Sequence, residues 1–124
     1  MKVLHTDKAP AAVGPYSQAI EVNGFVFCSG QLPIDPATGV FAEGGVKEQT
    51  RQSILNAQEV LRSPGLELSN VAKTTVYLSD MDNFAAMNEV YAQFFSEPFP
   101  ARSAVAVKTL PKNALVEVEC IATR

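Results

Sequence analysis

The sequence is poor in metal-binding side chains. It carries one histidine and two cysteines in 124 residues, and Cys28 and Cys120 are far apart along the chain. No zinc site has an evident ligand set, and neither a metal nor a cofactor is expected. Each cysteine lies in an apolar, strand-like run and reads as a small buried hydrophobe. A disulfide would need an oxidising compartment that nothing here implies. His5 reads as a strand-end residue. Long apolar runs are also missing. Crossing a bilayer takes about 20 apolar residues, and Met1 to Lys8 lacks the apolar stretch of a secretion signal. A soluble, cytoplasmic protein with no membrane partner is expected. Basic charge is scarce too, with a net charge of −3 and no run of Lys or Arg. That disfavours nucleic acid and anionic lipid as partners, leaving only a small local patch made by folding. There is no repeat, low-complexity tract or linker, so residues 1–124 should form one domain.

What is present alternates between strand and helix. Ala9 to Tyr16, with two prolines and a glycine, is a loop. Ile20 to Val22 reads as a strand, and Asn23-Gly24 is the strongest short hairpin signal. Phe25 to Gly30 returns as a second strand. It is apolar at nearly every position, where a strand with one wet face would alternate, so cover on both faces is expected. Pro33 to Gly39 is a loop, and Gly44-Gly45 marks the next boundary. From Val46 the pattern turns helical, with Ile54, Ala57 and Leu61 on one stripe and Val60 beside it. Pro64-Gly65 ends this helix.

Val71 to Leu78 is a β-branched strand in which Ala72, Thr74, Val76 and Leu78 share a face. Ser79 or Asp80 caps a second helix starting near Met81. Its stripe of Phe84, Met87, Tyr91 and Phe94 or Phe95 reads as core. Pro98 and Pro100 close it. Arg102 to Val107 is a strand, Leu110 to Asn113 a turn, and Leu115 to Ala122 a last strand. With a short extra strand near Val3, this gives an α+β architecture: a single mixed sheet of about five or six strands with two helices on one face. Two helices cannot cover both faces. A second copy of the chain is the simplest cover for the other.

Few residues offer chemistry. Along the last strand Val116, Val118, Cys120 and Ala122 form one face, and Leu115, Glu117, Glu119 and Ile121 the other. If Arg102 faces those glutamates, an ion pair or a ligand site results. The pair would fix register without catalysis. The site would use Arg102 to grip a carboxylate through two parallel hydrogen bonds and a glutamate to orient water or move a proton. Ala104 and Ala106 beside Arg102 would leave room for a ligand. Tyr16 follows a fixed proline in a loop, as packing or as a site residue. Gly30 permits a turn or a close approach by a ligand. Asn88 lies beside the apolar stripe and bonds either a neighbouring loop or a polar site.

Several segments occur together in order: Ala9 to Gln18, Ser29 to Pro33, Lys73 to Leu78 with Asp80-Met81, Asn88 to Tyr91, Phe99 to Ser103, and Leu110 to Glu119. Over essentially the whole chain they resemble the Rid (reactive intermediate deaminase) family. It is also called the YjgF family or the translation-inhibitor endoribonuclease-like family. The resemblance implies a chorismate-mutase-like fold and a homotrimer whose sheets form a central β-barrel, with active sites between subunits. It implies hydrolysis of 2-imino acids such as 2-iminopropanoate and 2-iminobutanoate to 2-keto acids and ammonia. By the same resemblance, Arg102 binds the substrate carboxylate, Tyr16 and Glu117 line the site, and Glu117 positions or activates water. Gly30 and Asn88 match positions near the ligand. Ala104 stands where many members have cysteine, so a thiol mechanism is not available there, although its backbone could contact the imine nitrogen. Arg62 to Gly65 also departs from the family pattern, at a surface connection. Two other readings stand beside it: a non-catalytic trimeric regulator that binds a keto acid or similar metabolite in the same cleft, and an endoribonuclease, which the old family name suggests and the acidic composition weighs against.

Overall fold

The computed structural model describes residues 1–124. In chain order its elements are β1 (Lys2–Leu4), β2 (Ala19–Val22), β3 (Phe25–Gln31), α1 (Val46–Arg62), β4 (Val71–Leu78), α2 (Phe84–Phe94), β5 (Ala101–Ala106) and β6 (Val116–Thr123). The strands form one mixed sheet in the order β1-β2-β3-β6-β4-β5. Only β4 and β5, joined through α2, run parallel. Asn23 and Gly24 take φ of 51° and 80°, the two left-handed conformations that a type I′ hairpin turn needs.

The helix ends follow local chemistry. Gly65, at φ 84°, closes α1 with two hydrogen bonds, Leu66 N–H to Leu61 O at 3.0 Å and Gly65 N–H to Arg62 O at 3.0 Å. This is the Schellman arrangement, and only a residue tolerant of positive φ sits there without strain. Before α2, the Asp80 carboxylate accepts from Asp82 N–H at 2.8 Å and starts a short 3₁₀ turn.

Both helices lie on one face of the sheet. Val116, Val118, Cys120 and Ala122 of β6 are buried beneath them with Val76 and Leu78 of β4 and Ile54, Val60 and Leu61 of α1. One strand reading needs correcting. Residue Ala72 is exposed, because an irregularity in the β4–β6 register between Val71 and Lys73 hands the buried place to Val71. Along β3 burial alternates. Val26 and Cys28 are buried, while Phe25 and Phe27 are each 45% exposed. The continuous apolar run therefore reflects two apolar faces, of which one chain covers a single one.

Cys28 and Cys120 are register partners, free and buried. The adjacent Cys120 thiol, then burial, pushes the Cys28 thiol well above its ordinary range, so it stays protonated and inert. No helix is long and apolar enough to cross a membrane.

Two buried amides on α1 break the amphipathic pattern for a reason. Gln49 Oε1 accepts from Leu115 N–H at 2.9 Å. Asn56 Nδ2 donates to the Leu32 and Ile34 carbonyls at 3.1 and 2.8 Å, fastening the loop that leaves β3. Asn56→Ala would strand both carbonyls, and about 1–3 kcal/mol of stability should be lost. A lowered urea midpoint with an unchanged slope would show it.

Candidate active site

The candidate residues fall into two groups on opposite faces of the sheet. Arg102 lies on the edge strand β5 in register with Thr74, so it points to the helix side. Its Nη1 donates to Asn88 Oδ1 at 2.6 Å. Its guanidinium carbon lies 4.7 Å from the Tyr91 ring centroid and 5.5 Å from that of Phe84. Arg62 and Arg124 are paired with glutamates, whereas Arg102 is held by an amide and two aromatic faces. Its charge is not neutralised, and it borders a cavity of about 310 Å³ lined with Asn88, Tyr91, Ala92, Phe99 and Pro100. Ala104, two residues along β5, shares that face and packs partly against the core.

Glu117 belongs to the other face, with Tyr77 as its register partner. It lies over Gly30, which sits where the β3–β6 register shifts between Cys28 and Gln31. A Cβ on Gly30 would come 2.9 Å from Glu117 Cδ and run into its carboxylate, so only glycine admits the side chain there. Burial, then the like charge of Glu119, raises the Glu117 pKa, and no donor offsets the shift. Glu119 instead accepts the Tyr77 hydroxyl at 2.9 Å. Tyr16 is 53% exposed, on a loop pinned nearby. Ser29 Oγ donates to Ser17 O at 2.6 Å, and the Gln18 side chain holds Thr6 and Pro10. That loop therefore leaves the sheet beside Gly30.

Arg102 does not face the glutamates within one chain. Strand β4 stands between β5 and β6, and the pairings Thr74↔Arg102 and Tyr77↔Glu117 put the two side chains on opposite parities of β4. One half thus offers a free fork for an anion, Arg102 with Asn88. The other offers a carboxylate with raised proton affinity, Glu117 over Gly30, with Tyr16 beside it. Sequence reasoning missed Tyr91 and Phe84 as partners of Arg102. The signal was their spacing around Asn88, four before and three after, which sets all three on one face of α2.

Residues 6–124 match the family model described as Endoribonuclease L-PSP. This chain belongs to the Rid family. A RutC family protein of Pyrococcus abyssi is 52% identical over 98% of this chain and 95% of its own length. The Bos taurus 2-iminobutanoate/2-iminopropanoate deaminase is 47% identical over 99% of this chain and 90% of its own. The crystal structure of E. coli TdcF with bound serine superposes with a TM-score of 0.94 at 41% identity, covering 100% of this chain and 99% of that one. At such identities the likeness reaches beyond the general fold, and this Rid chain superposes on TdcF over its whole length.

Proposed function

We propose that this Rid chain hydrolyses 2-imino acids, among them 2-iminopropanoate and 2-iminobutanoate, to 2-keto acids and ammonia, at sites completed between subunits of a homotrimer. The observation that carries the reading is the split site. An unneutralised arginine and a carboxylate of raised pKa stand on opposite faces of one subunit, beside an uncovered apolar face containing Phe25, Phe27 and Ile121. In this reading copies of the chain close those faces as a central barrel, and Arg102 of one subunit meets Glu117 of the next. The name of the bovine relative supports the reaction. The serine bound to E. coli TdcF supports a small ligand bearing a carboxylate.

In this mechanism Arg102, steadied by Asn88, takes the substrate carboxylate bidentately. Glu117 as carboxylate accepts a proton from water while the water oxygen bonds to the imine carbon. The C=N electron pair moves to nitrogen, which is protonated, and in this reading Tyr16 relays the proton. The carbinolamine hydroxyl then gives its proton through Glu117 to the amine nitrogen, the C=O bond forms as the C–N bond breaks, and ammonia leaves. In this reading the Ala104 backbone contacts the nitrogen, and no thiol takes part. Such imines hydrolyse unaided, so positioning with general acid–base help of about 10²–10⁴-fold suffices.

The test is to generate 2-iminopropanoate with a serine dehydratase and follow pyruvate. Release faster than the spontaneous rate is expected, with RNA left intact. An unchanged rate despite saturable pyruvate binding would favour the regulator, and RNA cleavage lost in Arg102→Ala the nuclease. Gly30→Ala should displace Glu117 and reduce kcat/KM roughly 10- to 100-fold. Its subunit assembly, checked by light scattering, should match wild type.

A further inference from the structure

We propose that Tyr91 is a positioning residue. Its ring, moored through its hydroxyl to Thr74, sets the plane of the Arg102 guanidinium and hence the direction from which a carboxylate is gripped. This rests on the reading of Arg102 as the carboxylate-binding group and deepens it.

An arginine on an edge strand has one strand neighbour and a long, rotamer-rich side chain. Left alone it would sweep through many orientations, and a two-pronged grip needs one. Three contacts narrow the choice here. Asn88 Oδ1 takes one Nη1 hydrogen at 2.6 Å. The Tyr91 ring lies 4.7 Å below the guanidinium carbon, and the Phe84 ring 5.5 Å away. The remaining N–H groups stay available for an anion.

A platform is useful only if it is itself fixed, and Tyr91 is. It is buried at 5% exposure and stacks on Phe95 with centroids 4.4 Å apart. Its hydroxyl is 2.8 Å from Thr74 Oγ1. Thr74 is fully buried and is the β4 register partner of Arg102 itself. The tether therefore returns to the strand position beside the arginine, so helix and sheet cannot shift relative to each other at this point without breaking it. Burial raises the Tyr91 phenol pKa, outweighing the Thr74 bond and Arg102, which both lower it. At neutral pH the phenol is an uncharged hydrogen-bonding anchor.

The experiment measures 2-oxobutanoate and 2-oxobutanamide binding by calorimetry, with KM and kcat for 2-iminobutanoate, in wild type, Tyr91→Leu, Tyr91→Phe and Thr74→Val. Tyr91→Leu removes the platform, and roughly 3- to 30-fold weaker 2-oxobutanoate binding is expected. KM should rise in parallel and kcat should change little. Tyr91→Phe and Thr74→Val keep a ring and lose the tether, and both should weaken the acid by about 2- to 5-fold. The amide, which does not use the charged grip, should bind all four proteins alike. Equal weakening of acid and amide would make Tyr91 merely structural and overturn the proposal, as would unchanged acid binding in all variants. If Tyr91→Leu does not fold, the two tether variants decide on the same criterion. A wild type that binds 2-oxobutanoate without hydrolysing the imine would defeat the deaminase reading, while the acid-to-amide comparison still judges Tyr91.

Discussion

Arg102→Ala is expected to lower kcat/KM for 2-iminopropanoate by roughly 30- to 1000-fold, the loss that follows when a desolvated, hydrogen-bonded charge pair is deprived of one partner. The fold should survive. Arg102 is half-buried on an edge strand and makes no ion pair, so removing it leaves the core of β4, β6 and α1 intact. What remains is the Asn88 amide and two aromatic faces, which can seat a small acid but cannot neutralise it. Arg102→Lys should also be poor. An ammonium keeps the charge but loses the planar fork that meets two carboxylate oxygens and whose central carbon lies 4.7 Å from the Tyr91 ring centroid. Steady-state kinetics beside a thermal melt would show activity lost and the melting transition kept.

Glu117→Gln should remove most of the remaining chemistry, about 10²–10⁴-fold in kcat, the usual worth of general acid–base help. Its signature is in the pH profile. Burial and Glu119 raise the Glu117 pKa, and the carboxylate form is the one that accepts a proton from water. Wild-type kcat/KM should therefore fall on the acid side along a limb displaced upward from the ordinary glutamate value, and in the glutamine variant that limb should be missing. Stability moves the other way. A carboxyl whose folded pKa is raised supports the fold fully below its unfolded pKa, and this support fades as pH rises through the folded value. At neutral pH the wild type thus bears an ionised, desolvated carboxylate, and Glu117→Gln should melt higher. Lost activity with raised stability marks a residue kept for chemistry.

The fold was largely legible because local chemistry set it. Asn23-Gly24 dictated the hairpin, Pro64-Gly65 the end of α1, and the alternation from Val116 to Ala122 the buried face of β6. Where two signals conflicted, pattern misled. Ala72 sits on the buried parity of an ideal β4, and the irregularity beside Lys73 moved it out. Phe25 and Phe27 carry the second apolar face of the β3 run, which this chain alone leaves 45% exposed at each residue, as two helices on one side of the sheet require. Gln49 and Asn56 were invisible, since their hydrogen-bond partners are distant loop and strand backbones.

The individual site residues stood out by type: an arginine among alanines, a glutamate among valines, an asparagine beside an aromatic stripe. Their relation did not. Whether Arg102 and Glu117 share a face depends on β4 lying between them and on two registers, and neither is encoded in the periodicity of either strand. Tyr91 was hidden differently. One ring face packs in the core, and that role alone explained the residue until its other neighbour was seen.

The split geometry has a direct test. Arg102→Ala and Glu117→Gln chains, each inactive alone, would be unfolded together in equal amounts, refolded, and assayed for imine hydrolysis. If each site draws its arginine from one subunit and its glutamate from the next, random assembly rebuilds about one quarter of the sites, and activity should return toward that fraction of wild type. A mixture that forms mixed oligomers yet stays as inactive as its parents would contradict the account.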